Sequence, residues 1–458
     1  MQFKHVPLIP AALILVALSL ALACDTSVRV ISASSPSHAS IAERNGRMTL
    51  MLNDQPFSVN GAGMGYSDEQ GIASLAAAGG NAFRTWETDA LDVQLDEAAR
   101  HGLMVLVGLD VGKELQGFNY KDSTAVEQQH ERLMAIVRKY RHHSHVLGWI
   151  LGNEPNLMMA GDGQLVPASP LVYTAIGKLA RDMKKIDPNR PVTVAFAYTS
   201  TLAEDIAAAM QEIPDLDFVS LQAYGALPII PQVVKNLGIG LPFMITEYGP
   251  LGHWEMPTTD WGREIEEPSG RKAQGMRERM NGSVIDDPTG QMIGSFAFLW
   301  GHKQERTPTW YGLFLKSGER TASVDELTHV WTGDWPDNRA PSAWSIELQK
   351  QVAGASIKVR AGERVSASAV INDPENDVLT VRWELLQEVD VRSNGGHFER
   401  TPDSVVLTNG EESTTGELFQ LAFDTPSEAG EYRLFVYAVD EAGGAATANI
   451  PFLVVQPH

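Results

Sequence analysis

The feature that most constrains the fold is a regular alternation of short β-rich runs and amphipathic helical runs between residues 48 and 333. The runs typical of strands are 57–63, 81–86, 104–109, 146–152, 192–196, 218–224, 243–248 and 293–300. The helical runs are 69–78, 90–101, 125–142, 171–186, 201–210, 230–237, 271–280 and 324–331. Eight strands that are each followed by a helix predict an α/β fold, the (β/α)8 TIM barrel. A doubly wound sheet is the alternative, but no Gly-rich phosphate turn follows the first strand.

The N-terminal residues have the pattern of an export signal. Residues 1–23 combine a basic start, a short apolar run and small residues at the end, which predicts a signal peptide. The end of this segment resembles a bacterial lipobox, so we expect Cys24 to carry lipid and to anchor the protein to a membrane. Plain cleavage after Ala23 is the alternative. The Ser-rich residues 24–42 are interpreted as a flexible tether. The expected location is the cell envelope, in the periplasm or at the cell surface.

The sequence pattern changes after a polar segment that ends at Pro341. The barrel domain is therefore expected over 43–336. Short alternating runs over 341–458 predict a smaller C-terminal β-sandwich. Its run 373–383 resembles the Asp-rich turn and Trp strand of bacterial immunoglobulin-like modules. Acidic turns are usually solvated, so the sequence predicts no metal site here, with Ca²⁺ binding as the alternative interpretation.

Charge and cysteine content exclude several classes of function. Lys and Arg number 36 against 57 Asp and Glu, which gives a formal net charge of −21. Because so acidic a surface repels phosphate backbones, nucleic acid is excluded as an expected partner. A single cysteine permits neither an internal disulfide nor a Cys-based metal site. No cofactor is predicted.

Two glutamates follow apolar strands at positions where a barrel carries its chemistry. Glu154 comes directly after the fourth predicted strand, and Glu247 lies near the end of the seventh. The carboxyl ends of barrel strands meet at the catalytic face of this fold. Two carboxyl groups can supply the proton donor and the nucleophile that glycosidic bond cleavage requires, with retention of configuration when the nucleophile attacks directly.

The motifs around these glutamates resemble those of clan A glycoside hydrolases, which are retaining (β/α)8 enzymes. Asn153-Glu154-Pro155 is similar to their acid/base motif at strand four, and Thr246-Glu247-Tyr248-Gly249 to their nucleophile motif at strand seven. The run 53–61 resembles the start of the catalytic domains of families 2 and 5. The resemblance covers the barrel and implies that Glu154 is the acid/base and Glu247 the nucleophile.

The same resemblance extends to groups around the pair. It implies that Arg84 and Tyr224 support the nucleophile, that Asn153 binds the sugar 2-hydroxyl, and that Trp300 lines the sugar site. Gln222 stands where many relatives carry His, which leaves the family and substrate open. Aromatic rings stack on the apolar faces of sugars, so aromatic residues in the predicted mouth are further candidates. The complete set of predicted substrate-binding residues is Arg84, Trp86, Asn153, Gln222, Tyr224, Trp300, Trp254 and Tyr66.

These observations predict an exported, membrane-anchored retaining glycosidase. Its expected partner is a neutral β-linked polysaccharide or oligosaccharide, with β-glucan favoured. A β-glucan transglycosylase that uses the same glutamates is one alternative. The other is a non-catalytic glycan-binding surface lipoprotein, against which the intact pair of glutamates argues.

Overall fold

The computed structural model describes residues 36–65, 69–392, 396, 398–407, 412–414 and 417–456. The predicted signal peptide, Cys24 and Tyr66 lie outside the described residues. No helix in the described part of the chain has the length and apolar character needed to span a bilayer.

A small antiparallel sheet precedes the barrel. It consists of β1 (Ala39–Arg44), β2 (Arg47–Leu52) and β3 (Gln55–Pro56). Its apolar side chains, such as the buried Leu50, join a cluster formed by the inward-facing residues of the barrel strands. The interpretation of 24–42 as a tether is therefore wrong for its last residues, because Ser37 is buried and strand β1 begins at Ala39.

The barrel segment alternates strands and helices along the chain. In order, its elements are β4 (Asn60–Gly63), α1 (Glu69–Ala77), β5 (Ala82–Arg84), α2 (Leu91–His101), β6 (Met104–Leu109), α3 (Ser123–Tyr140), β7 (Val146–Asn153), β8 (Met158–Met159), β9 (Leu165–Val166), α4 (Pro170–Ile186), β10 (Val192–Ala197), α5 (Leu202–Glu212), β11 (Val219–Gln222), α6 (Ile230–Leu237), β12 (Phe243–Tyr248), α7 (Ser269–Met280), β13 (Met292–Ala297), β14 (Arg320–Thr321) and α8 (Ala322–Thr332). Short 3-10 turns lie at Glu114–Gln116, Leu227–Ile229 and His253–Glu255.

Eight parallel strands close the barrel, as the sequence predicts. Their order around the barrel is β4-β5-β6-β7-β10-β11-β12-β13, and β13 pairs with β4. Strands such as β6 are buried along their whole length, because one face meets the barrel interior and the other the helices. Local signals fix the helix starts: Asp122 accepts backbone N–H bonds at the start of α3, and Ser169 caps α4 ahead of Pro170.

A two-sheet β-sandwich follows the barrel. Its strands are β15 (Ser342–Leu348), β16 (Lys358–Arg360), β17 (Arg364–Asn372), β18 (Leu379–Gln387), β19 (Ser404–Val406), β20 (Glu412–Thr414), β21 (Leu418–Asp424), β22 (Gly430–Val439) and β23 (Gly444–Val455). One sheet has the order β14-β23-β22-β18-β19, with β16 beside β23 and β20 beside β18; the other has the order β15-β17-β21. A hydrophobic core that includes Trp383 and Phe452 contains residues of both sheets.

The sandwich packs on the barrel through paired strands and buried polar groups. Strand β14, in the barrel loop before α8, pairs with β23 of the sandwich. The guanidinium of Arg433 donates to the carbonyl of Glu264, at 2.9 Å, and the amide of Asn449 donates to the carboxylate of Glu266, at 2.6 Å. Lys272 pairs with Glu266 from the barrel side. Buried polar groups of each part thus depend on the other for their partners.

Arg190 ties together the loops at the amino-terminal end of the barrel. It is 1% exposed, and its Nε donates to the carbonyl of Val146, at 3.0 Å. One terminal nitrogen pairs with Asp187 at 3.1 Å, while the other donates to the carbonyl of His143 and the hydroxyl of Ser37. The Arg190 side chain therefore joins the segment before β1 to the loops before β7 and β10.

We expect Arg190→Met to lower the free energy of unfolding by about 3–5 kcal/mol, because it leaves Asp187 buried without its cation. Urea titration followed by circular dichroism measures the change. The matched control is Arg400→Met, since that side chain is 82% exposed and its contact with Asp403 is 3.8 Å long. The control should change stability by less than about 0.5 kcal/mol. If both variants lost a similar amount of unfolding free energy, the structural role assigned to Arg190 would be contradicted.

Candidate active site

Glu247 lies at the carboxyl end of the seventh barrel strand, where neighbouring strands supply its contacts. Strand β11 pairs with β12 so that Gln222 is opposite Glu247. The side chain of Glu247 is buried, with 6% of its surface exposed. An ionised carboxylate at this depth needs hydrogen-bond donors to replace its lost water.

Four donors surround the Glu247 carboxylate. Oε1 accepts from the Trp86 indole at 2.7 Å, the Gln222 amide at 2.9 Å and the Arg84 guanidinium at 3.2 Å. Oε2 accepts from the Tyr224 hydroxyl at 2.9 Å. Because each donor stabilises the charged form, the arrangement favours a carboxylate over a carboxylic acid. Burial and the negative Glu247 raise the pKa of Tyr224 well above its usual value, so this hydroxyl keeps its proton.

Arg84 is the cation that balances this carboxylate. It closes strand β5 with no exposed surface, and its guanidinium also donates to Asn153 Oδ1 at 2.9 Å and to the carbonyl of Thr246 at 3.3 Å. The guanidinium lies 4.9 Å from the centre of the Trp86 ring. Burial lowers the pKa of Arg84, and Glu247 and Glu154 oppose this change. Arg84 thus contacts groups on both β7 and β12, the fourth and seventh strands of the barrel.

Glu154 projects from a tight turn directly after strand β7. Its φ of 53° lies in the left-handed region that non-glycine residues rarely adopt. Its backbone N–H donates to the carbonyl of Ala195, at 2.7 Å. Two residues later, the buried amide of Asn156 donates to the carbonyl of Ala197 and accepts from its N–H, both at 2.9 Å. These bonds to strand β10 hold the turn, and with it Glu154, in a conformation that costs backbone energy.

The environment of Glu154 differs from that of Glu247. Burial raises the pKa of Glu154 to about 7, and the negative charges of Glu247 and Glu305 add to this shift. Lys113 and Arg84 oppose it. In the described part of the chain, no side chain donates a hydrogen bond to the Glu154 carboxyl group. Two carboxyl groups at one mouth therefore lie in contrasting environments, one bonded to four donors and one to none among the described side chains, the kind of contrast on which general acid catalysis depends.

Asn153 and Gln222 link the two glutamates. Asn153 Oδ1 accepts from Gln222 at 2.5 Å and from Arg84 at 2.9 Å, which fixes the orientation of the Asn153 amide. Its Nδ2 has no acceptor among the described residues and is partly exposed, so it can donate to a ligand hydroxyl. Gln222 Oε1 is buried without a partner.

Aromatic side chains form one wall of the mouth. The Tyr224 ring packs edge-on against Trp254 at 5.5 Å, Tyr311 at 5.9 Å and Phe298 at 6.0 Å. Trp86 meets Phe298 at 5.6 Å. Trp254 is 62% exposed, so part of its ring is open to a ligand. The wall thus combines a buried aromatic cluster with one exposed indole.

The prediction that Trp300 lines the sugar site is wrong. Strand β13 ends at Ala297, three residues before the end of the predicted strand. Trp300 is 3% exposed, stacks on Trp331 of α8 at 5.8 Å, and donates its indole N–H to Ser74 of α1 at 2.9 Å. It belongs to the core between barrel and helices. Phe298, two residues earlier, packs against Trp86 and Tyr224 instead.

The structure adds residues that the sequence analysis did not single out. Lys113 and Glu305 carry charges that act on Glu154, and both lie in loops after barrel strands. His253 faces Glu305 at 3.6 Å, and Lys303 pairs with Glu305 at 2.7 Å. Only the position of these residues in loops of the catalytic face could have signalled them. The described carboxylates of the mouth do not form a group of three that could hold a metal ion.

A comparison with known protein families gives a match over part of the barrel. Residues 68–253 match the family model for the TIM barrel domain of glycosyl hydrolases family 2. That segment contains both Glu154 and Glu247. The barrel is therefore similar to the TIM barrel domain of these hydrolases. A comparison with curated protein sequences gives no match.

Solved structures of glycosidases resemble the chain at low identity. A β-glucuronidase from Faecalibacterium prausnitzii shares 18% identity, with 64% of this chain and 52% of that chain covered at a TM-score of 0.47. β-Glucuronidase 2 from Bacteroides uniformis shares 14%, with 92% and 48% covered at a TM-score of 0.48. A glucosidase from Croceicoccus marinus shares 14%, with 91% and 99% covered at 0.43. The chain spans about half the length of these two β-glucuronidases.

We expect Glu154 to make the stability of the protein depend on pH. Its pKa rises from 4.5 to about 7 on folding, so the folded state binds the proton more tightly. The resulting stabilisation is complete below pH 4.5 and is lost as pH rises through about 7. Relative to Glu154→Gln, the wild type should lose on the order of 3 kcal/mol between pH 4.5 and pH 8.

Chemical denaturation at a series of pH values measures this difference. Glu114→Gln is the control, because Glu114 is a carboxylate in a loop of the same face. Its stability curve should run parallel to that of the wild type. A difference between wild type and Glu154→Gln that does not change with pH would contradict the prediction.

Proposed function

We propose that the protein is a retaining β-glycosidase that acts by double displacement. The observation that carries the proposal is the contrast between the two glutamates. Four donors hold Glu247 in its charged form, whereas burial and neighbouring charges raise the pKa of Glu154 to about 7. A carboxylate nucleophile and a carboxylic acid donor are the two groups that retaining glycoside hydrolysis requires.

In the first step, Glu247 attacks the anomeric carbon and forms a glycosyl ester. The bond to the leaving oxygen breaks, and that oxygen takes the proton of Glu154. Oε2 is the attacking atom in this proposal, because it accepts one hydrogen bond whereas Oε1 accepts three. The Nδ2 donor of Asn153 binds the sugar 2-hydroxyl, a contact that strengthens as positive charge develops on the ring.

In the second step, Glu154 acts as a base. Now ionised, it accepts a proton from water as the water oxygen attacks the anomeric carbon. The ester bond breaks, Glu247 regains its charge among the four donors, and Glu154 is again protonated. Two inversions give a product with the configuration of the substrate.

We expect Glu247→Gln to lower kcat at least about 1000-fold, because the neutral amide is a poor nucleophile. Glu154→Gln should cost about 100- to 10,000-fold with substrates whose leaving group needs a proton, and less with an aryl leaving group of low pKa. The wild-type kcat/KM should fall above pH 7, as Glu154 loses its proton.

Steady-state rates on β-1,3-, β-1,4- and mixed-linkage glucans, mannan, β-galactosides and aryl β-glycosides measure these effects. NMR of the first-formed anomer tests retention. The control is Glu267→Gln, a glutamate in the β12–α7 loop outside the donor set around Glu247. Unchanged turnover in both Glu154 and Glu247 variants would refute the assignment.

For the substrate we propose a neutral β-linked glycan, with β-glucan first. The net charge of −21 disfavours acidic polymers, and Lys303 is neutralised by Glu305. Because two of the solved structures are named β-glucuronidases, an aryl β-glucuronide belongs in the same substrate panel. If the substrate carries a uronate carboxylate, Lys113 is the candidate cation to pair with it, because among the cations that act on Glu154 it has the largest effect. If the aryl β-glucuronide is the only compound of the panel that is turned over, the substrate is a β-glucuronide and not a neutral glycan.

A transglycosylase is the second candidate, since a sugar hydroxyl can replace water in the second step. Chain-length analysis of the products separates the two activities: hydrolysis gives only shorter chains, whereas transfer also gives longer ones. A folded wild-type protein that binds glycans without turning over any member of the panel would instead favour the non-catalytic binding protein.

We expect Trp254→Ala to raise KM for oligosaccharides about tenfold with little change in kcat. Its exposed indole lies beside Tyr224 and offers a flat apolar face to a bound sugar. Loss of the indole would weaken binding of the substrate and of the transition state equally, which raises KM and leaves kcat unchanged. Trp335→Ala is the control, because Trp335 is 43% exposed but stacks on His329 of helix α8. An equal effect of both substitutions would argue against a sugar platform at Trp254.

A further inference from the structure

Three aspartates of the sandwich meet at the turns that join its central strands. Asp373 and Asp377 flank the turn between β17 and β18, and Asp440 follows β22. One carboxylate oxygen from each lies within 4.8 Å of the others. Asp373 and Asp440 are buried, with 8% and 5% of their surfaces exposed.

In each of the two buried aspartates, one oxygen is bonded and the other is not. Asp373 Oδ1 accepts the N–H groups of Glu375 at 3.0 Å and Asp377 at 2.9 Å, and Asp440 Oδ1 accepts the N–H of Gly444 at 2.7 Å. The Oδ2 atoms of Asp373 and Asp440 are both buried without a hydrogen-bond partner. Backbone bonds thus orient each carboxylate and leave one oxygen of each uncompensated.

In the described part of the chain, no Lys, Arg or His forms an ion pair with Asp373, Asp377 or Asp440. The nearby Arg320 pairs with Asp325, and Arg339 pairs with Glu375. Buried carboxylate oxygens without a donor or cation are strongly unfavourable, so the cluster needs a positive charge from outside the chain.

A fourth oxygen comes from the segment that joins barrel and sandwich. Asn338 donates its side-chain N–H to Asp377. Its Oδ1 is buried without a partner. The carbonyl of the same residue accepts from Arg320, whose guanidinium also pairs with Asp325 of helix α8. A residue bonded to Asp377 therefore also has a neutral amide oxygen without a partner.

We infer that Asp373, Asp377, Asp440 and Asn338 bind one Ca²⁺ ion. All four ligands are oxygens, which hard divalent cations prefer. Oxygens on opposite sides of Ca²⁺ are about 4.6–5.2 Å apart, so three carboxylate oxygens within 4.8 Å of one another can share one such ion. Mg²⁺ usually keeps several of its waters, so a site built from four protein oxygens favours Ca²⁺. The inference departs from the interpretation of this acidic turn as simply solvated.

Such an ion would fasten the sandwich to the barrel. Asn338 lies between helix α8 and strand β15, whereas the three aspartates lie in two turns of the sandwich. Asp325, in the first turn of α8, accepts the N–H of Ala340 in the same connecting segment. Ca²⁺ bound to all four ligands therefore fixes the connecting segment against two turns of the sandwich.

The test uses the full chain, stripped of metal with EGTA and titrated with CaCl₂ by isothermal calorimetry. We expect one Ca²⁺ per chain and a rise in Tm of roughly 3 °C at about 100-fold excess over the Kd. MgCl₂ at the same concentration should give a smaller rise. The double variant Asp373→Asn and Asp440→Asn should bind Ca²⁺ at least about tenfold more weakly, because it loses two charges.

Two further observations make the test decisive. Without calcium, the double variant should be as stable as the wild type or more so, because it removes the repulsion between buried carboxylates. Asp390→Asn, which removes an exposed charge in the same domain, should bind Ca²⁺ as the wild type does. Absence of calcium-dependent heat and Tm shift in the wild type at millimolar CaCl₂ would overturn the inference. Equal Ca²⁺ binding by the folded double variant would do so as well.

Discussion

The charge of Glu247 is the constraint on which the rest of the mouth depends. A carboxylate can remain ionised under burial only if donors replace its water, and here they come from two other places in the chain. Strand β5 supplies Arg84 and, just beyond its end, Trp86; strand β11 supplies Gln222 and, two residues later, Tyr224. The closed barrel brings these strand ends to one rim. The same closure excludes water, which makes each of the four contacts stronger than it would be in solvent.

Glu154 shows how one fold gives a second glutamate the opposite character. It follows its strand in a left-handed turn, fixed by the bonds of the turn to strand β10, and no described donor reaches its carboxyl group. The donors that could have stabilised its charge are already bound elsewhere: Arg84 contacts Glu247 and Asn153. Burial therefore raises the pKa of Glu154, the charges of Glu247 and Glu305 add to the shift, and no hydrogen-bond donor among the described residues offsets it.

The sequence predicted the barrel, its eight strands and the residues that gather around Glu247, because these depend on local periodicity and on strand ends. It failed for Trp300, since the end of strand β13 is set by pairing with neighbouring strands, and a shift of a few residues exchanges core for mouth. The indole bond from Trp86 to Glu247 and the charges of Lys113 and Glu305 were beyond prediction, because they depend on loop conformations that the tertiary structure fixes.

The interface with the sandwich follows the same rule as the active site: buried polar groups require partners, and the partners come from elsewhere. Glu266 of the barrel is bonded to Lys272, Thr307, Thr309 and the sandwich residue Asn449. Without the sandwich, Glu264 and Glu266 would lose buried partners, and the β12–α7 loop that carries them also carries Trp254. The sandwich is thus part of the structure that holds an active-site loop, because the loop cannot satisfy its own polar groups from the barrel alone.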